Sequence, residues 1–370
     1  SALYGMSAIG GVVNLVSKRP KAGQPEQEVL VNQTSHRGTD AALWLSRAIN
    51  DQWSYSTLAG VHTQGRSDLD GDGWTDLPWF RRLQARPRVY WDNGGGKSVL
   101  ATIGVMGERR RGGTMPGATL PDRSVRAENL DTTRVDAGVF GRFVLSGGHV
   151  LAVRASSATS RRDRSLGGNR ERDRNQTWFA ESSLNATRGR HTWVGGTAIQ
   201  HETFTARDVA RFSYDYRTIG AFGQDEIALA RRLSISASGR VDHHNVFGTF
   251  ASPKVSALVR ADGGVTFRVS GGRGHIAPTP FTEETDVTGL TPIAVGDGLR
   301  PEDATSLAGD VTWRRAPFEI TGTVFRSRIA HPLAFRDSRA GAPPRLVNAE
   351  RPTTTEGTEF IARYHEDDLD

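Results

Sequence analysis

The chain contains no cysteine among its 370 residues, and this absence excludes several classes of protein. A disulfide framework, a thiolate zinc site, an iron–sulfur cluster and a thiol nucleophile all require cysteine. Long apolar runs are also missing, since no stretch approaches the roughly 18 consecutive apolar residues that identify a membrane-spanning helix. A transmembrane β-barrel stays open, because each of its strands needs only about 10 residues of alternating polarity.

The charge of the chain is basic but diffuse. The formal net charge is +6, from 47 Lys plus Arg against 41 Asp plus Glu, and acidic residues are interleaved with the basic ones. Nucleic-acid-binding domains concentrate basic residues on one face and carry recognisable module signatures, neither of which is present here. We therefore expect no nucleic-acid partner.

After Pro20 the polarity of the sequence alternates with a period of two residues. The clearest segment covers residues 232–242, where apolar residues and glycine alternate with polar residues. This alternation is typical of strands that have one apolar and one polar face. Counting such segments predicts an all-β protein of about 16 strands, from near Glu28 to near Tyr364.

The connections between these segments alternate in length. Short turns are predicted at residues 93–97, 146–149 and 261–264. Long loops are predicted over residues 64–79, 108–131, 160–175, 203–215, 276–301 and 330–352. Outer-membrane barrels have short turns on one rim and long loops on the other. The pattern therefore predicts a transmembrane antiparallel β-barrel in the outer membrane, with outward-pointing aromatic residues near the short turns: Trp53, Trp91, Trp193 and Trp313.

The first twenty residues carry a recognisable motif, SALYGMSAIGGVVNLVSKRP. They resemble the end of the plug domain of TonB-dependent outer-membrane receptors in the positions Tyr4, Gly5, Gly10, Gly11 and Asn14, and in the basic exit to Pro20. A phosphate-binding loop is the rival interpretation, but the Gly-Lys-Ser/Thr signature and a following helix pattern are missing. The resemblance implies two parts, the C-terminal end of a plug over residues 1–22 and a barrel region over residues 23–370.

Later landmarks resemble the same family. Residues 250–255 (FASPKV), 271–279 (GGRGHIAPT) and 299–302 (LRPE) follow in the order found in the middle barrel strands of such receptors. Ile276 stands where the family usually has Arg. The family barrel has 22 strands, so the resemblance implies about six further strands, with the rest of the plug upstream. The chain ends in an acidic tail, and we expect an unpaired sheet edge near strand 16.

The resemblance also implies a function. Receptors of this family take up scarce, large solutes, driven by the inner-membrane TonB energy-transducing complex acting on the plug. Ferric siderophores are the first expectation, and cobalamin or an oligosaccharide is the alternative. Haem is disfavoured, because no His lies between Ile276 and Pro301. The hypotheses of a different class are a passive porin and a barrel enzyme, but no catalytic motif is found, so we expect no enzyme.

Two groups of arginines are candidates for binding an anionic ligand. Arg109, Arg110 and Arg111 lie at the start of one predicted external loop, and Arg161, Arg162 and Arg164 lie at the start of another. Together they would form an electropositive mouth for a ferric siderophore. The alternative is that each Arg belongs to a solvated face or pairs with phosphates of lipopolysaccharide in the outer-membrane lipid.

An acidic motif in the first long loop is the remaining candidate site. Asp68, Asp70, Asp72 and Asp76 occupy positions 1, 3, 5 and 9 of a calcium-loop pattern with Gly at position 6. Position 12 is Trp79 instead of the bidentate Glu, so the predicted site is a weak structural calcium site. The alternative is a solvated acidic turn without a metal. No other cofactor is expected.

Overall fold

The computed structural model describes residues 18–21, 23–280, 289–296, 298–336 and 344–364. Those residues form twenty strands. The strands are β1 (Glu26–Gln33), β2 (Gly38–Ala48), β3 (Trp53–Gln64), β4 (Trp79–Asp92), β5 (Lys97–Gly113), β6 (Ala127–Val144), β7 (Val150–Leu166), β8 (Asn169–Arg188), β9 (His191–Ala206), β10 (Tyr214–Ala230), β11 (Leu233–His244), β12 (Gly248–Ala251), β13 (Lys254–Arg260), β14 (Val265–Ile276), β15 (Ala294–Val295), β16 (Glu302–Arg315), β17 (Phe318–Ala330), β18 (Leu333–Arg336), β19 (Arg345–Asn348) and β20 (Thr353–Tyr364). Within these ranges no helix is long and apolar enough to cross a membrane.

Seventeen of the strands form one antiparallel sheet in which chain neighbours pair. β12 and β13 lie end to end against the same strand, since Val241 of β11 pairs with Ala251 and Ser238 pairs with Lys254. Pro253 lies between them and has no N–H to donate to the ladder. The wall therefore has about 16 strand positions, which confirms the count made from alternating polarity.

The two edges of this sheet are β1 and β20. Over the described ranges β1 pairs only with β2, and β20 pairs only with β17. The wall is consequently open between its first and last strands, and the expectation of an unpaired edge at the last strand is confirmed.

The short turns predicted from the sequence lie on one rim. In a sheet of consecutive antiparallel strands, every second connection falls at the same end, and this places residues 93–96, 145–149 and 261–264 together. Gly147 in one of these turns has a φ of 77°, a backbone conformation that favours glycine. We call this end the short-turn rim and the opposite end the long-loop rim.

The sheet has an apolar outer face and a polar inner face. Side chains alternate between the faces along a strand, and residues directly opposite on neighbouring strands share a face. Most of the exposed large apolar side chains fall on one face, here called the outer face, among them Ile103, Val105, Val135, Val139, Ile199, Ile219, Val241 and Val269. The inner face carries buried ion pairs such as Arg240 with Asp242.

The four tryptophans near the short turns lie on the outer face, as predicted. Trp53 and Trp91 are register partners of each other, and Trp193 and Trp313 pair with residues of the same face. Trp53 is 44% exposed and Trp193 is 37% exposed. Their position next to the short-turn rim is that of an interfacial aromatic belt.

Two predicted loops are wrong in their extent. Residues 160–175 form the ends of β7 and β8 at the long-loop rim, which leaves only Gly167 and Gly168 between the strands. In the stretch 108–131, β5 continues to Gly113 and β6 begins at Ala127. Both stretches are rich in charged residues, and in the β7–β8 hairpin Arg and Asp side chains pair across the two strands and stabilise them outside the apolar band.

A small second structure covers the long-loop rim. β15 pairs in parallel with β19, which pairs antiparallel with β18, within stretches predicted as loops. Side chains from three connections pack into one apolar cluster there: Phe204, Ala206, Val209, Phe212, Leu290, Ile293 and Leu346. The cluster holds these connections against the inner face of the wall.

Candidate functional site

The six predicted arginines lie on strands, and they do not share one face. Arg110 of β5 is in register with Leu130 of β6, which is in register with Arg164 of β7. Because alternation sets the face, Arg110, Arg162 and Arg164 lie on the inner face, and Arg109, Arg111 and Arg161 lie on the outer face. The structure therefore does not bring the six together, and only the inner three face the interior.

An aromatic and basic group lies on the inner face where β4 meets β5. The Phe80 ring stacks on His62 with centroids 4.4 Å apart. The guanidinium carbons of Arg82 and Arg110 lie 6.0 and 5.7 Å from the Phe80 centroid. Both arginines also bind Glu108, Arg82 Nε at 2.6 Å from Oε2 and Arg110 Nη2 at 3.4 Å from Oε1.

The exposed fractions of these side chains show which charges face the interior. The Glu108 side chain is only 6% exposed, whereas those of Arg82 and Arg110 are 40% and 43% exposed. Two guanidinium groups thus share one carboxylate that lies beneath them. The surface presented to the interior carries an excess positive charge next to an aromatic ring, and it can receive an anionic ligand.

Arg162, another inner-face arginine, is already paired. Arg162 Nε donates to both oxygens of Asp173, at 3.1 and 3.2 Å. This pair lies near the long-loop rim, where the β7–β8 hairpin extends beyond the apolar band. Burial raises the pKa of the Asp173 carboxyl, while the nearby Arg162 acts in the opposite direction. Arg162 is therefore a weaker candidate than Arg82 and Arg110 for holding a ligand.

The loop segment of residues 290–293 is held by the buried Glu171 carboxylate and by Arg211. Glu171 Oε1 accepts hydrogen bonds from Leu290 N at 2.8 Å, Thr291 N at 2.6 Å and Thr291 Oγ1 at 2.6 Å. Arg211 Nη2 donates to the carbonyl oxygens of Thr291 at 2.9 Å and Ile293 at 2.7 Å. With Leu290 and Ile293 in the apolar cluster, the segment is fixed over the inner face.

A column of aromatic rings continues the inner face on β9 to β11. Centroid distances are 5.6 Å from Phe204 to Tyr214, 4.3 Å from Tyr214 to Tyr216, and 4.8 Å from Tyr216 to His244. The Tyr214 hydroxyl donates to Glu202 Oε1 at 2.6 Å. Burial, followed by this contact with Glu202, raises the pKa of Tyr214 far above its ordinary value of 10.0, so the phenol stays protonated.

Three of the predicted acidic residues converge in the loop between β3 and β4. Asp68, Asp70 and Asp76 each offer a carboxylate oxygen, and these oxygens lie within 4.8 Å of one another. Atoms that surround one Ca²⁺ at about 2.5 Å are separated by at most about 5 Å, so the spacing suits that ion. Asp72 is not in this group, and its Oδ1 accepts from Trp74 N at 2.7 Å.

The same carboxylates also serve the alternative of a metal-free turn. Asp68 Oδ1 accepts from Gly71 N at 2.8 Å, and its Oδ2 accepts from Gly73 N at 2.9 Å. Asp76 Oδ2 accepts from Leu69 N at 2.6 Å. Such Asx-type bonds order a loop without a cation. Calcium binding therefore stays a prediction.

The plug motif cannot be placed in the structure. Tyr4, Gly5, Gly10, Gly11 and Asn14 all lie outside the described residues. The proposed division at residues 22 and 23 likewise stays a prediction.

Sequence reasoning missed several residues of the inner face: Phe80, Arg82, Glu108, Glu171, Tyr214 and Tyr216. The available signal was the alternation of side chains between the two faces of a strand. Counting in twos from the apolar positions of β5, such as Ile103 and Val105, places Glu108 and Arg110 on the opposite face. No signal in the sequence brings Glu171 to Leu290, because that contact joins residues 119 positions apart.

The sequence was compared with known proteins. Residues 32–365 match the family described as TonB dependent receptor-like, beta-barrel. An iron-regulated outer membrane virulence protein of Vibrio cholerae is 24% identical over 271 residues, which are 71% of this chain and 40% of that protein. The chain thus spans less than half the length of this curated relative.

Solved structures resemble the fold closely. The siderophore receptor PirA from Pseudomonas aeruginosa has a TM-score of 0.79 at 16% identity, covering 97% of this chain and 66% of that one. The ferric enterobactin receptor PfeA from Pseudomonas aeruginosa has a TM-score of 0.77 at 16% identity, covering 97% and 63%. The copper transporter OprC has a TM-score of 0.72 at 14% identity, covering 94% and 60%.

At these identities the solved structures show the fold, and the sequence match over most of the chain shows the family. The relatives are receptors and transporters rather than enzymes, and the curated relative is an outer-membrane protein. The chain belongs to the TonB-dependent receptor family, its residues 32–365 match the β-barrel domain, and it is an outer-membrane protein.

Proposed function

We propose that the receptor takes up a ferric siderophore, which binds at the long-loop rim on the inner face. Transport would be driven by the inner-membrane TonB complex acting on the plug, as the family resemblance implies. The names of the relatives support iron as the cargo, since one is iron-regulated and two bind siderophores or ferric enterobactin. Cobalamin and an oligosaccharide stay as alternative solutes.

The observation that carries the proposal is the group formed by Phe80, Arg82 and Arg110 over the buried Glu108. Ferric siderophores present anionic oxygen ligands, and many carry flat aromatic or conjugated groups. Two exposed guanidinium groups that share one carboxylate offer the excess charge, and the Phe80 ring offers the apolar surface. The aromatic column around Tyr216 extends this surface along the inner face.

The test removes this charge and compares it with the same change on the other face. In the receptor, Arg82→Gln plus Arg110→Gln should weaken the binding of a ferric catecholate siderophore at least about tenfold, and more at low salt than at high salt. Binding is measured by quenching of tryptophan fluorescence. The matched control is Arg81→Gln plus Arg109→Gln, which removes the same charge from adjacent positions of the same two strands.

The two outcomes separate clearly. Binding that weakens in the Arg82–Arg110 variant but not in the Arg81–Arg109 variant supports the proposal, because the control pair lies on the outer face. Unchanged binding in both variants at low ionic strength contradicts it. Binding that depends on Tyr216 but not on Arg82 or Arg110, and that ignores salt, would favour an uncharged solute such as an oligosaccharide.

A further inference from the structure

The short turns of the described wall differ in charge from one side of the short-turn rim to the other. Taken with the two residues on either side, the turns after β2, β4 and β6 each have a net charge of zero. The turns after β8 and β10 each carry +2, the turn after β13 is neutral, and the turn after β16 carries +1. The positive charge of the short-turn rim is therefore concentrated between β8 and β17.

Exposed arginines supply this charge: Arg188, Arg190, Arg231, Arg232, Arg314 and Arg315. We call them the basic arc. Two of them have a carboxylate partner, since Arg232 Nη2 lies 2.5 Å from Asp262 Oδ1 and Arg314 Nε lies 2.7 Å from Glu319 Oε2. Over the described ranges the other four form no ion pair. Their charge is thus open to an anionic partner.

Backbone hydrogen bonds hold neighbouring turns of the basic arc in a fixed arrangement. Ala228 N donates to Arg190 O at 2.9 Å, and Arg260 N donates to Arg232 O at 2.8 Å. Neighbouring strands lie about 4.8 Å apart, so successive turns on this rim are about 10 Å apart. That distance equals the Debye length at about 0.1 M salt, so the charges of adjacent turns act together on one partner. A rigid array also loses little conformational entropy on binding.

The tips of the basic arc extend beyond the membrane interface. Arg231 lies six residues after Asp225, the register partner of Trp193 in the aromatic belt. At about 3.3 Å per residue and a strand tilt of about 40°, Arg231 lies more than about 10 Å from Trp193 along the membrane normal. The head-group layer is only about 5–8 Å thick on each side of the hydrocarbon. Because the short turns of outer-membrane barrels lie on the inner side of that membrane, these tips face the periplasm.

We infer that the basic arc binds the peptidoglycan layer of the cell wall. The partner must be anionic and must lie in the periplasm next to the outer membrane. Peptidoglycan meets both conditions, because the stem peptides along its glycan strands carry carboxylates, which guanidinium groups bind through paired N–H groups. Each exposed contact is weak, but several turns that engage one polymer add their contributions. The receptor is thereby held to the cell wall through one side of its rim.

The experiment measures co-sedimentation of the receptor, purified in detergent, with isolated peptidoglycan sacculi. Wild type should pellet with sacculi at about 0.05 M salt and should be released at about 0.5 M salt. Arg190→Gln plus Arg231→Gln should weaken the apparent affinity at least about fivefold at low salt. The matched control is Arg47→Gln plus Lys97→Gln, which removes two exposed positive charges beside neutral turns of the same rim and should pellet as wild type does.

Modified sacculi test the chemistry of the partner. Sacculi whose carboxylates have been converted to amides should not pellet the wild-type receptor. Equal pelleting with amidated sacculi overturns the inference, and so does equal pelleting of wild type and the Arg190–Arg231 variant. Loss of pelleting when the receptor is placed in nanodiscs of phosphatidylglycerol, but not of phosphatidylcholine, would assign the arginines to lipid head groups and also overturn it. Binding of ferric siderophore should be the same in wild type and both variants, so the result is independent of the proposed function.

Discussion

The two faces of the β7–β8 hairpin treat neighbouring arginines in opposite ways. Arg162 on the inner face lies opposite Asp173, and the two form a salt bridge. Arg161, one residue earlier, lies opposite Arg174 on the outer face and has no carboxylate among the described residues. At these two adjacent positions the chain therefore pairs the inward-facing charge and leaves the outward-facing charge without an ion pair.

The comparison teaches that a run of like charges is not a functional unit on a strand. Adjacent residues of a strand point in opposite directions, so a sequence such as Arg161-Arg162 supplies one side chain to each of two environments. The inner side chains contribute to a polar interior rich in ion pairs, and the Arg82–Arg110 group is one place in the described wall where two guanidinium groups share a single carboxylate. The outer side chains meet lipid head groups or solvent.

The largest effect should come from breaking a pair on the inner face. Arg240 Nε donates to both oxygens of Asp242 at 2.8 Å, and the two side chains are 7% and 1% exposed. Arg240→Ala leaves a buried carboxylate without its partner, and it should lower the free energy of unfolding by about 3–5 kcal/mol. The measurement is urea-induced unfolding of the receptor in lipid vesicles.

The matched change on the outer face is Arg111→Ala, which removes the partner of Asp131. This pair is largely accessible to water, with side chains 34% and 47% exposed, so the loss should stay below about 1 kcal/mol. Equal losses in the two variants would contradict the difference between the faces.

A second effect should appear where Glu171 holds the loop segment. Glu171→Ala removes the carboxylate that accepts from the Leu290 amide and from the Thr291 amide and hydroxyl, so these donors lose their partner. We expect local protection to fall by about 2–3 kcal/mol, which is a rise of roughly 30- to 150-fold in hydrogen exchange at these two amides. Asp163→Asn on the outer face is the control and should leave their exchange unchanged.

The third effect concerns pH at the connection between β9 and β10. Hydrogen bonding to Arg172 lowers the pKa of Asp208 from 3.8 to about 2. A carboxyl whose pKa is lowered in the folded state holds its contact above its ordinary pKa and loses it as the pH falls through about 2. Hydrogen exchange at the Arg172 amide, which donates to Asp208 Oδ2 at 2.7 Å, should report this.

In the Arg172→Gln variant Asp208 should become protonated at a pH about 1–2 units higher than in wild type, because the charged partner is lost. The protection of the residue 172 amide should then decline from about pH 4. The same pH profile in wild type and variant would show that Arg172 does not hold the carboxylate.

The smallest effect should come from calcium binding at the acidic cluster in the loop between β3 and β4. Asp68 and Asp70 bring carboxylates together outside the wall, and calcium would relieve their repulsion. Titration calorimetry should detect binding with a dissociation constant on the order of 0.1–1 mM, and the gain in stability should be under about 1 kcal/mol when calcium equals that constant. Asp68→Asn plus Asp70→Asn should abolish the heat, whereas Asp72→Asn should keep it, and equal heats in all variants would leave a metal-free turn.

The architecture could be predicted from the sequence because it depends on local patterns. Period-two alternation predicted the strand positions of the wall. The short turns, together with Trp53, Trp91, Trp193 and Trp313, predicted that one rim carries both the turns and an aromatic belt. These features repeat in every hairpin and need no distant contact. The landmarks before Pro20 and around Pro253 then pointed to the family.

The site was harder to predict because it depends on parity and on long-range contacts. Treating Arg109, Arg110 and Arg111 as one patch ignored the alternation that had been used for the apolar residues. Predicting a loop over residues 160–175 ignored that Asp163 and Arg170 stabilise a strand pair outside the membrane. The contact of Glu171 with Leu290 and the parallel pairing of β15 with β19 join parts of the chain that no local pattern relates.

The length of the β7–β8 hairpin gives it a practical use in studying intact cells. β8 has 20 residues, about twice the number that crosses the membrane, so roughly ten residues, or about 30 Å of strand, project from the cell surface. Only Gly167 and Gly168 turn the chain at its tip, and Gly167 has a φ of 57°. A short peptide epitope inserted between them would be displayed to antibodies on living bacteria, away from the inner face.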